Sequence, residues 1–273
     1  MIRTPQERER TRLAIASMSH KLMLSSRVVE LCEAEATPRQ EEFLLKVLSE
    51  EIDRRERGRK ARLLNRAGFP VFKSFDDYDF SEIRFPPSLS RAELLQEDFI
   101  PEKKNLVLYG GVGTGKTHMA IALGIAACEK GLSVRFYTVT ELVLKLTESY
   151  KAGTLERLVR DLKQLDLLIL DEWGYVPVDR EGSQLLFRVI ADSYESKSLI
   201  LTTNLEFSKW GGIFTDEQMA AAMIDRLVHH GHLLLFEAKS YRMTHALMRQ
   251  PGPAKATPKT TAEAVALARE GGA

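Results

Sequence analysis

The sequence contains little cysteine and no long apolar run. Two of its 273 residues are cysteines, Cys32 and Cys128, which excludes a disulfide framework and offers no metal-binding spacing. No stretch approaches the roughly 18 apolar residues that are needed to span a bilayer. The opening residues, MIRTPQERERTR, lack the apolar core of a secretory signal. We therefore expect a cytoplasmic protein.

The chain also lacks a strong net charge. Its formal net charge is +1, with 44% hydrophobic and 28% charged residues, so the composition alone does not indicate a nucleic-acid partner. The charge is unevenly distributed, because residues 1–66 contain 15 Lys and Arg against 11 Asp and Glu. A basic N-terminal segment followed by a slightly acidic remainder indicates that the N-terminal segment binds a polyanion.

A small all-helical N-terminal domain is predicted over residues 1–68. Residues 11–35 have helix-like apolar spacing. A further helix begins after Thr37, since Pro38 suits the first helical position and Gln40 can close a capping box. That helix ends in a basic run, for which a contact with the DNA backbone competes with a plain solvated helix face. The run consists of Arg54, Arg55, Arg57, Arg59, Lys60, Arg62 and Arg66.

The remaining chain divides into three parts. Residues 69–104 alternate aromatic and acidic side chains and are predicted to be a linker that packs on the domain after it. Residues 105–250 alternate apolar strands with helical segments, which predicts an α/β domain with a parallel sheet and helices on both faces. The tail, 251–273, is rich in Pro, Ala, Thr, Lys and Gly and is expected to be disordered. The strands are predicted at 105–109, 134–137, 167–170, 199–202 and 233–236.

A phosphate-binding loop is the clearest motif. Residues 110–117 fit the pattern G-x-x-x-x-G-K-[ST], between an apolar strand and a long helix. Its glycines let the backbone wrap a triphosphate, and its N–H groups form an anion nest at the helix start. We expect Lys116 to reach the β- and γ-phosphates and Thr117 to ligate Mg²⁺. The residues expected to contact ATP are Gly110, Gly111, Val112, Gly113, Thr114, Gly115, Lys116, Thr117 and His118.

Two carboxylates, Asp171 and Glu172, follow the strand predicted at 167–170. Ligands bind at the carboxyl ends of the strands in parallel α/β sheets, so both side chains are expected beside the phosphate-binding loop. Asp171 is predicted to hold the Mg²⁺ shell, and Glu172 to orient and activate the attacking water. Together with the loop, this pair indicates a Mg²⁺-dependent ATPase.

A third polar group, Asn204, follows the strand predicted at 199–202. Its amide is predicted to hydrogen-bond the γ-phosphate or the attacking water, with a turn-forming asparagine as the plain alternative. Three histidines, His229, His230 and His232, are close in sequence but lack the further ligands of a metal site. The sequence has no Ser/His/Asp or Cys/His set that indicates another catalytic centre.

These motifs, in this order and spacing, resemble the AAA+ ATPases, and more closely the IstB/DnaC group within them. The resemblance extends over residues 5–250, and its N-terminal part is similar to the helpers of insertion-sequence transposases rather than to helicase loaders. It implies an AAA+ P-loop core without an extended C-terminal lid. The matching segments include Phe99-Ile100-Pro101, Leu-Asp-Glu-Trp-Gly-Tyr, Thr-Thr-Asn-Leu, Asp225-Arg226-Leu227 and Ser240-Tyr241-Arg242.

Several roles follow from the resemblance alone. Arg226 matches the arginine finger of the family, which acts in trans on the γ-phosphate of a neighbouring subunit. Arg242 matches the second sensor, which acts in cis. A surface arginine paired with an acid is the plain alternative for Arg226. A trans finger implies a homo-oligomer, which would assemble on duplex DNA with ATP and be reset by hydrolysis that the cognate transposase stimulates.

Three basic residues between and after the ATP motifs are further candidates for DNA contacts, namely Lys151, Arg157 and Arg180. Two other functions are compatible with the sequence. A helicase loader of the DnaC type would share the ATP chemistry but would bind a replicative helicase and single-stranded DNA. A metabolic P-loop kinase would require a small phosphate acceptor and no arginine from a neighbouring subunit.

Overall fold

The computed structural model describes residues 5–175, 179–212, 214, 217–237 and 240 of the chain. The helices are α1 (Pro5–Lys21), α2 (Ser26–Glu35), α3 (Pro38–Ala67), α4 (Arg91–Gln96), α5 (Lys116–Glu129), α6 (Val139–Lys151), α7 (Leu155–Lys163), α8 (Arg180–Ser193) and α9 (Glu217–His229), with a 3₁₀ turn at Phe207–Gly212. The strands are β1 (Ile83–Arg84), β2 (Asn105–Gly110), β3 (Val134–Thr138), β4 (Leu167–Trp173), β5 (Ser198–Thr203) and β6 (Gly231–Phe236).

In the described part of the chain, six strands form one sheet in the order β1-β6-β2-β5-β4-β3. Strand β2 is parallel to its neighbours β5 and β6, and β4 is parallel to β3 and β5. Strand β1 pairs antiparallel with β6 and was not predicted from the sequence. The predicted parallel sheet with flanking helices is confirmed. The carboxyl ends of β2, β4 and β5 meet at one edge of this sheet.

Each face of the sheet has its own apolar cluster, because successive residues of a strand point to opposite faces. Leu106 and Leu108 of β2 pack with α5 and the linker on one face. Val107, which lies between them, packs with α6, α8 and α9 on the other face. Strand β4 is buried on both faces, so its apolar run Leu167–Leu170 shows no alternation with polar residues.

The N-terminal helices have a small core of their own. Ile15 of α1, Cys32 of α2 and Leu48 of α3 are buried in the same cluster. Helix α3 then continues to the sheet, where Leu63 and Leu64 pack against the cluster that includes α5. One helix of 30 residues therefore belongs to both parts of the molecule.

The two ends of α3 follow the signals in the sequence. The N–H and the hydroxyl of Thr37 both donate to Gln40 Oε1 at 2.8 Å. Gly68 ends the helix with a φ of 78°, which glycine tolerates. The helical stretch predicted for 11–35 is divided into α1 and α2, because Met23 takes a φ of 58° between them. The predicted domain boundaries stay predictions.

The linker contributes two short elements, β1 and α4, to the fold. Helix α4 has a capping box, in which Ser90 Oγ accepts from the Glu93 N–H at 3.2 Å and the Ser90 N–H donates to Glu93 at 2.7 Å. The tail predicted to be disordered at 251–273, and the stretch from 241 in which a lid would lie, are outside the described residues. Among the described helices, none is long and apolar enough to cross a membrane.

Candidate nucleotide site

The phosphate-binding loop joins β2 to α5 at the carboxyl edge of the sheet. Gly115 has a φ of 98°, a conformation that side chains disfavour. A Cβ atom at Gly110 would lie 2.4 Å from the carbonyl oxygen of Phe236, so close packing also requires glycine there. Within the loop, the Thr114 hydroxyl donates to the Gly111 carbonyl at 2.9 Å. The motif thus lies in the strand, loop and helix context that its function needs.

Lys116 is the first residue of α5, and its side chain is buried. Its Nζ donates to the carbonyl oxygens of Gly110 at 2.8 Å and Gly111 at 2.6 Å. These contacts hold the ammonium group against the loop. The N–H groups of the first helical turn favour an anion at the same place. Positive charge and N–H donors therefore converge where a polyphosphate would bind.

Thr117 and Asp171 are brought together from two different elements. Thr117 Oγ1, on α5, donates to Asp171 Oδ1, on β4, at 3.0 Å. Asp171 is only 4% exposed, and the same oxygen accepts the hydroxyl of Thr202 on β5. Mg²⁺ is bound in proteins by one or two such oxygen groups together with waters and substrate phosphates. The donor set present here fits a Mg²⁺ site that a nucleotide completes.

Glu172 lies next to Asp171 but has different surroundings. Its side chain is exposed, and its backbone takes a φ of 63°. Its N–H donates to Thr202 Oγ1 at 3.1 Å. Of the two carboxylates, one is therefore buried among hydroxyl groups and the other is open to solvent, where it can meet a water molecule.

Asn204 is exposed directly after β5, the strand between β2 and β4. This position is at the same edge as the loop and the two carboxylates. In the preceding residue, the Thr203 hydroxyl donates to the carbonyl oxygen of Trp173 at 2.9 Å. Trp173 and Trp210 are fully buried with their ring centroids 5.1 Å apart, so they are packing residues.

The predicted arginine finger, Arg226, and the predicted second sensor, Arg242, differ in how far the structure describes them. Arg226 is half-buried on α9, where its guanidinium lies 5.1 Å from the centroid of the Phe187 ring on α8. Its Nη1 donates to the Ala222 carbonyl at 3.2 Å within the same helix. Arg242 lies outside the described residues. The trans role of Arg226 stays a prediction.

Aromatic side chains of the linker pack against the phosphate-binding loop, and the sequence predicts this contact only in part. The sequence indicated that the linker packs on the domain, and the structure places Tyr78 against the loop, with its hydroxyl donating to the Gly115 carbonyl at 3.1 Å. Burial raises the pKa of Tyr78 above its ordinary value. Its ring lies 4.9 Å from that of His118, whose Nε2 is 2.7 Å from the Ser74 carbonyl oxygen. The linker therefore supports the loop from outside the motif.

The basic residues predicted to contact DNA are all exposed, and they lie on four helices. Those of the basic run are on the second half of α3, where Arg59 donates to the Gly131 carbonyl at 3.1 Å and Arg55 pairs with Glu51 at 2.7 Å. The others lie at the end of α6, on α7 and at the start of α8. The exposed basic residues are Arg54, Arg55, Arg57, Arg59, Lys60, Arg62, Arg66, Lys151, Arg157 and Arg180.

A groove of about 690 Å³ joins two of these regions. It lies between the end of α3, the edge strand β3, and helices α6 and α7. Its basic lining residues are Arg66, Arg135, Lys145 and Arg157. Tyr137 also lines the groove, and its hydroxyl accepts from Lys145 Nζ at 3.3 Å. No pattern in the sequence indicates that Arg135 and Lys145 join this group, because they belong to an edge strand and an amphipathic helix.

Two solved structures have similar folds. The AMPPCP-bound DnaA from Aquifex aeolicus matches with a TM-score of 0.47 and 25% identity, over 54% of this chain and 45% of its own. The DnaC helicase loader matches with a TM-score of 0.44 and 23% identity, over 64% of this chain and 98% of its own.

Proteins of insertion sequences are similar over most of the chain. An ATP-binding protein of IS21 from Pseudomonas aeruginosa is 39% identical over 74% of this chain and 76% of its own length. That of IS5376 from Geobacillus stearothermophilus is 35% identical over 77% of this chain and 83% of its own. The family described as IstB-like ATP binding protein matches residues 14–248. The predicted family is thus confirmed, and the chain belongs to the IstB-like ATP-binding proteins.

Proposed function

We propose that this chain hydrolyses ATP with Mg²⁺ and uses the cycle to assemble on, and leave, duplex DNA as a transposition helper. The observation that supports the chemistry most directly is the bond between Thr117 and Asp171, at 3.0 Å, beside the exposed Glu172. It joins the phosphate-binding loop to the carboxylates at the sheet edge, as a Mg-nucleotide site requires.

Each residue of the site has a distinct task. Lys116 and the N-terminus of α5 bind the β- and γ-phosphates. Thr117 and Asp171 hold Mg²⁺, which when bound neutralises charge on these phosphates. Glu172 orients a water for in-line attack and accepts its proton. Asn204 supports the γ-phosphate or that water from the neighbouring strand.

The hydrolysis step is tested by two substitutions. Glu172→Gln is expected to lower kcat by about 10²–10⁴-fold while ATP still binds, because only the base is removed. Lys116→Ala is expected to abolish or severely weaken nucleotide binding, because the phosphates lose their cation. Glu206→Gln, which changes an exposed carboxylate after the neighbouring strand β5, serves as the matched control. Normal turnover by the Glu172 variant would show that this residue is not the base.

The assembly step rests on a trans role for Arg226. Arg226→Ala should lower turnover by about 10³-fold. The decisive test mixes this variant with Lys116→Ala, since each supplies the residue that the other lacks. Recovery of turnover on mixing two inactive proteins requires a site shared between subunits. Arg188→Ala, a surface arginine of α8 paired with Glu156 at 2.8 Å, is the control. A mixture that stays inactive would contradict the trans finger.

Duplex DNA is the partner that the charge pattern favours. The exposed basic face of α3 and the groove beside it present cations that can neutralise backbone phosphates, with release of counterions. Relatives named for insertion sequences support a transposase as the second partner. Hydrolysis that the transposase stimulates would reset the assembly.

The DNA step is tested by sedimentation of the Glu172→Gln protein with Mg-ATP, with and without duplex DNA of several helical turns. A large assembly that needs both ATP and DNA is expected. A monomer indifferent to duplex DNA would overturn the transposition-helper proposal and leave the ATPase proposal standing. Co-purification with a replicative helicase would have the same consequence.

A further inference from the structure

We infer that Thr202 is a positioning residue that sets the two carboxylates Asp171 and Glu172 in their different orientations. The inference rests on the proposed function, because it concerns the same site. Thr202 lies inside β5, two residues before Asn204, and is 3% exposed. It belongs to the Thr-Thr-Asn-Leu segment, in which only Asn204 has a predicted role.

The pairing of β4 with β5 is irregular at this point. Leu170 faces Leu201, and the next aligned pair is Trp173 with Thr203. Two residues of β4, Asp171 and Glu172, therefore stand opposite the single residue between Leu201 and Thr203 on β5. This is the arrangement of a β-bulge, a feature that re-aims side chains next to active sites. The residue opposite the bulge is Thr202.

One hydroxyl group contacts both residues of the bulge. Thr202 Oγ1 donates to Asp171 Oδ1 and accepts the Glu172 N–H at 3.1 Å. A hydroxyl has one donor and two acceptor sites, so it can make both bonds at once. Asp171 Oδ1 accepts from Thr117 as well, at 3.0 Å. Two hydroxyls on one oxygen fix the rotation of the carboxylate and thereby the direction of its second oxygen.

The bond to the Glu172 N–H has a separate effect. Glu172 takes a φ of 63°, in the left-handed region that residues other than glycine disfavour. In a regular strand, Asp171 and Glu172 would simply point to opposite faces. The hydrogen bond that the Glu172 N–H donates to Thr202 Oγ1 instead holds the strained backbone, with Asp171 buried and Glu172 exposed. A valine at this position has the same shape but can make neither bond.

The next residue of β5 provides a matched control. Thr203 is 1% exposed, and its hydroxyl donates to the Trp173 carbonyl at 2.9 Å and accepts the Leu205 N–H at 3.0 Å. With a further, longer contact to the Leu205 carbonyl at 3.4 Å, its hydroxyl has at least as many hydrogen-bond partners as that of Thr202 in an equally buried place, and neither carboxylate is among them. Loss of the Thr203 hydroxyl reports the general cost of removing a buried threonine hydroxyl from β5.

The experiment compares Thr202→Val, Thr202→Ser and Thr203→Val in the full chain. Binding of a fluorescent ATP analogue is titrated with Mg²⁺, and kcat, KM and thermal unfolding are measured alongside. For Thr202→Val we expect the Mg²⁺ concentration at half-saturation to rise about tenfold and kcat to fall about 10–100-fold, since groups that orient metal ligands have effects of this size. KM should change less than about threefold.

The other two variants separate positioning from stability. Thr202→Ser keeps the hydroxyl and should retain both the Mg²⁺ midpoint and kcat within about threefold. Thr203→Val should lower the unfolding temperature but leave both values unchanged. If Thr202→Val only lowers the unfolding temperature, as Thr203→Val does, Thr202 is a structural residue and the inference is wrong. A wild-type chain without turnover would contradict the proposed function, whereas the Mg²⁺ midpoints would still decide the role of Thr202.

Discussion

Asp171 and Glu41 are both buried carboxylates, at 4% and 1% exposure, in two different regions of the molecule. Asp171, at the edge of the sheet, accepts hydrogen bonds from two neutral threonine hydroxyls. Glu41, on α3, accepts from the guanidinium groups of Arg8 and Arg12 on α1. The charge of Asp171 is thus left for a cation that arrives with the nucleotide. The charge of Glu41 is already neutralised by the two arginines, and these ion pairs connect α3 to α1.

The same chemical change should therefore have opposite consequences in the two regions, beginning with the largest effect. Asp171→Asn keeps an oxygen that accepts both hydroxyls but removes the charge. Loss of metal stabilisation of about 4 kcal/mol should lower kcat roughly 1000-fold. The unfolding temperature without nucleotide should stay the same or rise, because a buried charge is gone. Turnover assays and thermal unfolding of the same preparation check both parts.

A clear loss of stability in the Asp171→Asn protein would contradict the difference proposed between Asp171 and Glu41. It would mean that the charge of this carboxylate is compensated in the folded chain and is not held for a ligand. Nucleotide titrations in excess Mg²⁺ provide the further check, since the variant should need more Mg²⁺ than the wild type to reach half-saturation.

Glu41→Gln is the matched change in the N-terminal helices. It should lower the free energy of unfolding by about 2 kcal/mol, because hydrogen bonds to a charged group are lost from two arginines. ATP binding and turnover without DNA should not change, since the site is on a different element. Glu42→Gln, on the exposed side of α3, is the control. Equal stability of the two variants would show that the ion pairs with α1 contribute nothing measurable.

The stabilisation by Glu41 should also depend on pH. Burial alone raises the pKa of Glu41, but the hydrogen bonds from Arg8 and Arg12 outweigh burial and hold the pKa below its ordinary value of 4.5. A carboxyl group whose pKa is lowered by folding stabilises the fold above its unfolded pKa. That contribution is lost as the pH falls through the lowered value. The stability difference between wild type and Glu41→Gln should therefore shrink below about pH 4.5.

The two regions also differ in how far the sequence predicts them. The nucleotide site follows from short local patterns, since Lys116, Thr117, Asp171 and Glu172 lie at the junctions of strands and helices that apolar periodicity reveals. The role of Thr202 cannot be predicted in this way, because a buried threonine in a strand is ordinary. Only the bulge in the neighbouring strand brings both Asp171 and Glu172 to its hydroxyl. Local patterns therefore predict the residues of the motifs but not those that orient them.

The linker and the N-terminal helices were predicted less completely. Strand β1 is two residues long and exists only through its pairing with β6, which lies about 150 positions later in the chain. Tyr78 was expected to pack on the domain, but its contact with Gly115 depends on the path of the whole linker. Likewise, nothing near Glu41 in sequence indicates that Arg8 and Arg12 will reach it. Contacts between distant segments are what local patterns leave out.

A third buried carboxylate, Glu97, differs from both Asp171 and Glu41, and its replacement is expected to change stability least. It is 2% exposed, and burial raises its pKa above the ordinary value, with a partial offset from Lys130 at 3.3 Å. Unlike Glu41 it has one half-exposed partner, and unlike Asp171 it lies by the C-terminal end of α5, away from the phosphate-binding loop. Glu97→Met should therefore stabilise the protein, by about 1 kcal/mol at neutral pH, because Lys130 returns to solvent when the buried charge is removed.

The sign of the pH dependence distinguishes Glu97 from Glu41. A carboxyl group with a raised pKa costs stability above that pKa, and the cost disappears as the pH falls and the group is protonated. The advantage of Glu97→Met should thus be largest at neutral pH and shrink as the pH falls through the raised pKa, as measured by thermal unfolding. Glu129→Met, an exposed position on α5, should show no such trend. A destabilised Glu97→Met protein at neutral pH would show that the pair with Lys130 outweighs the cost of burial. Glu97 would then stabilise the fold through its ion pair, as Glu41 is expected to do.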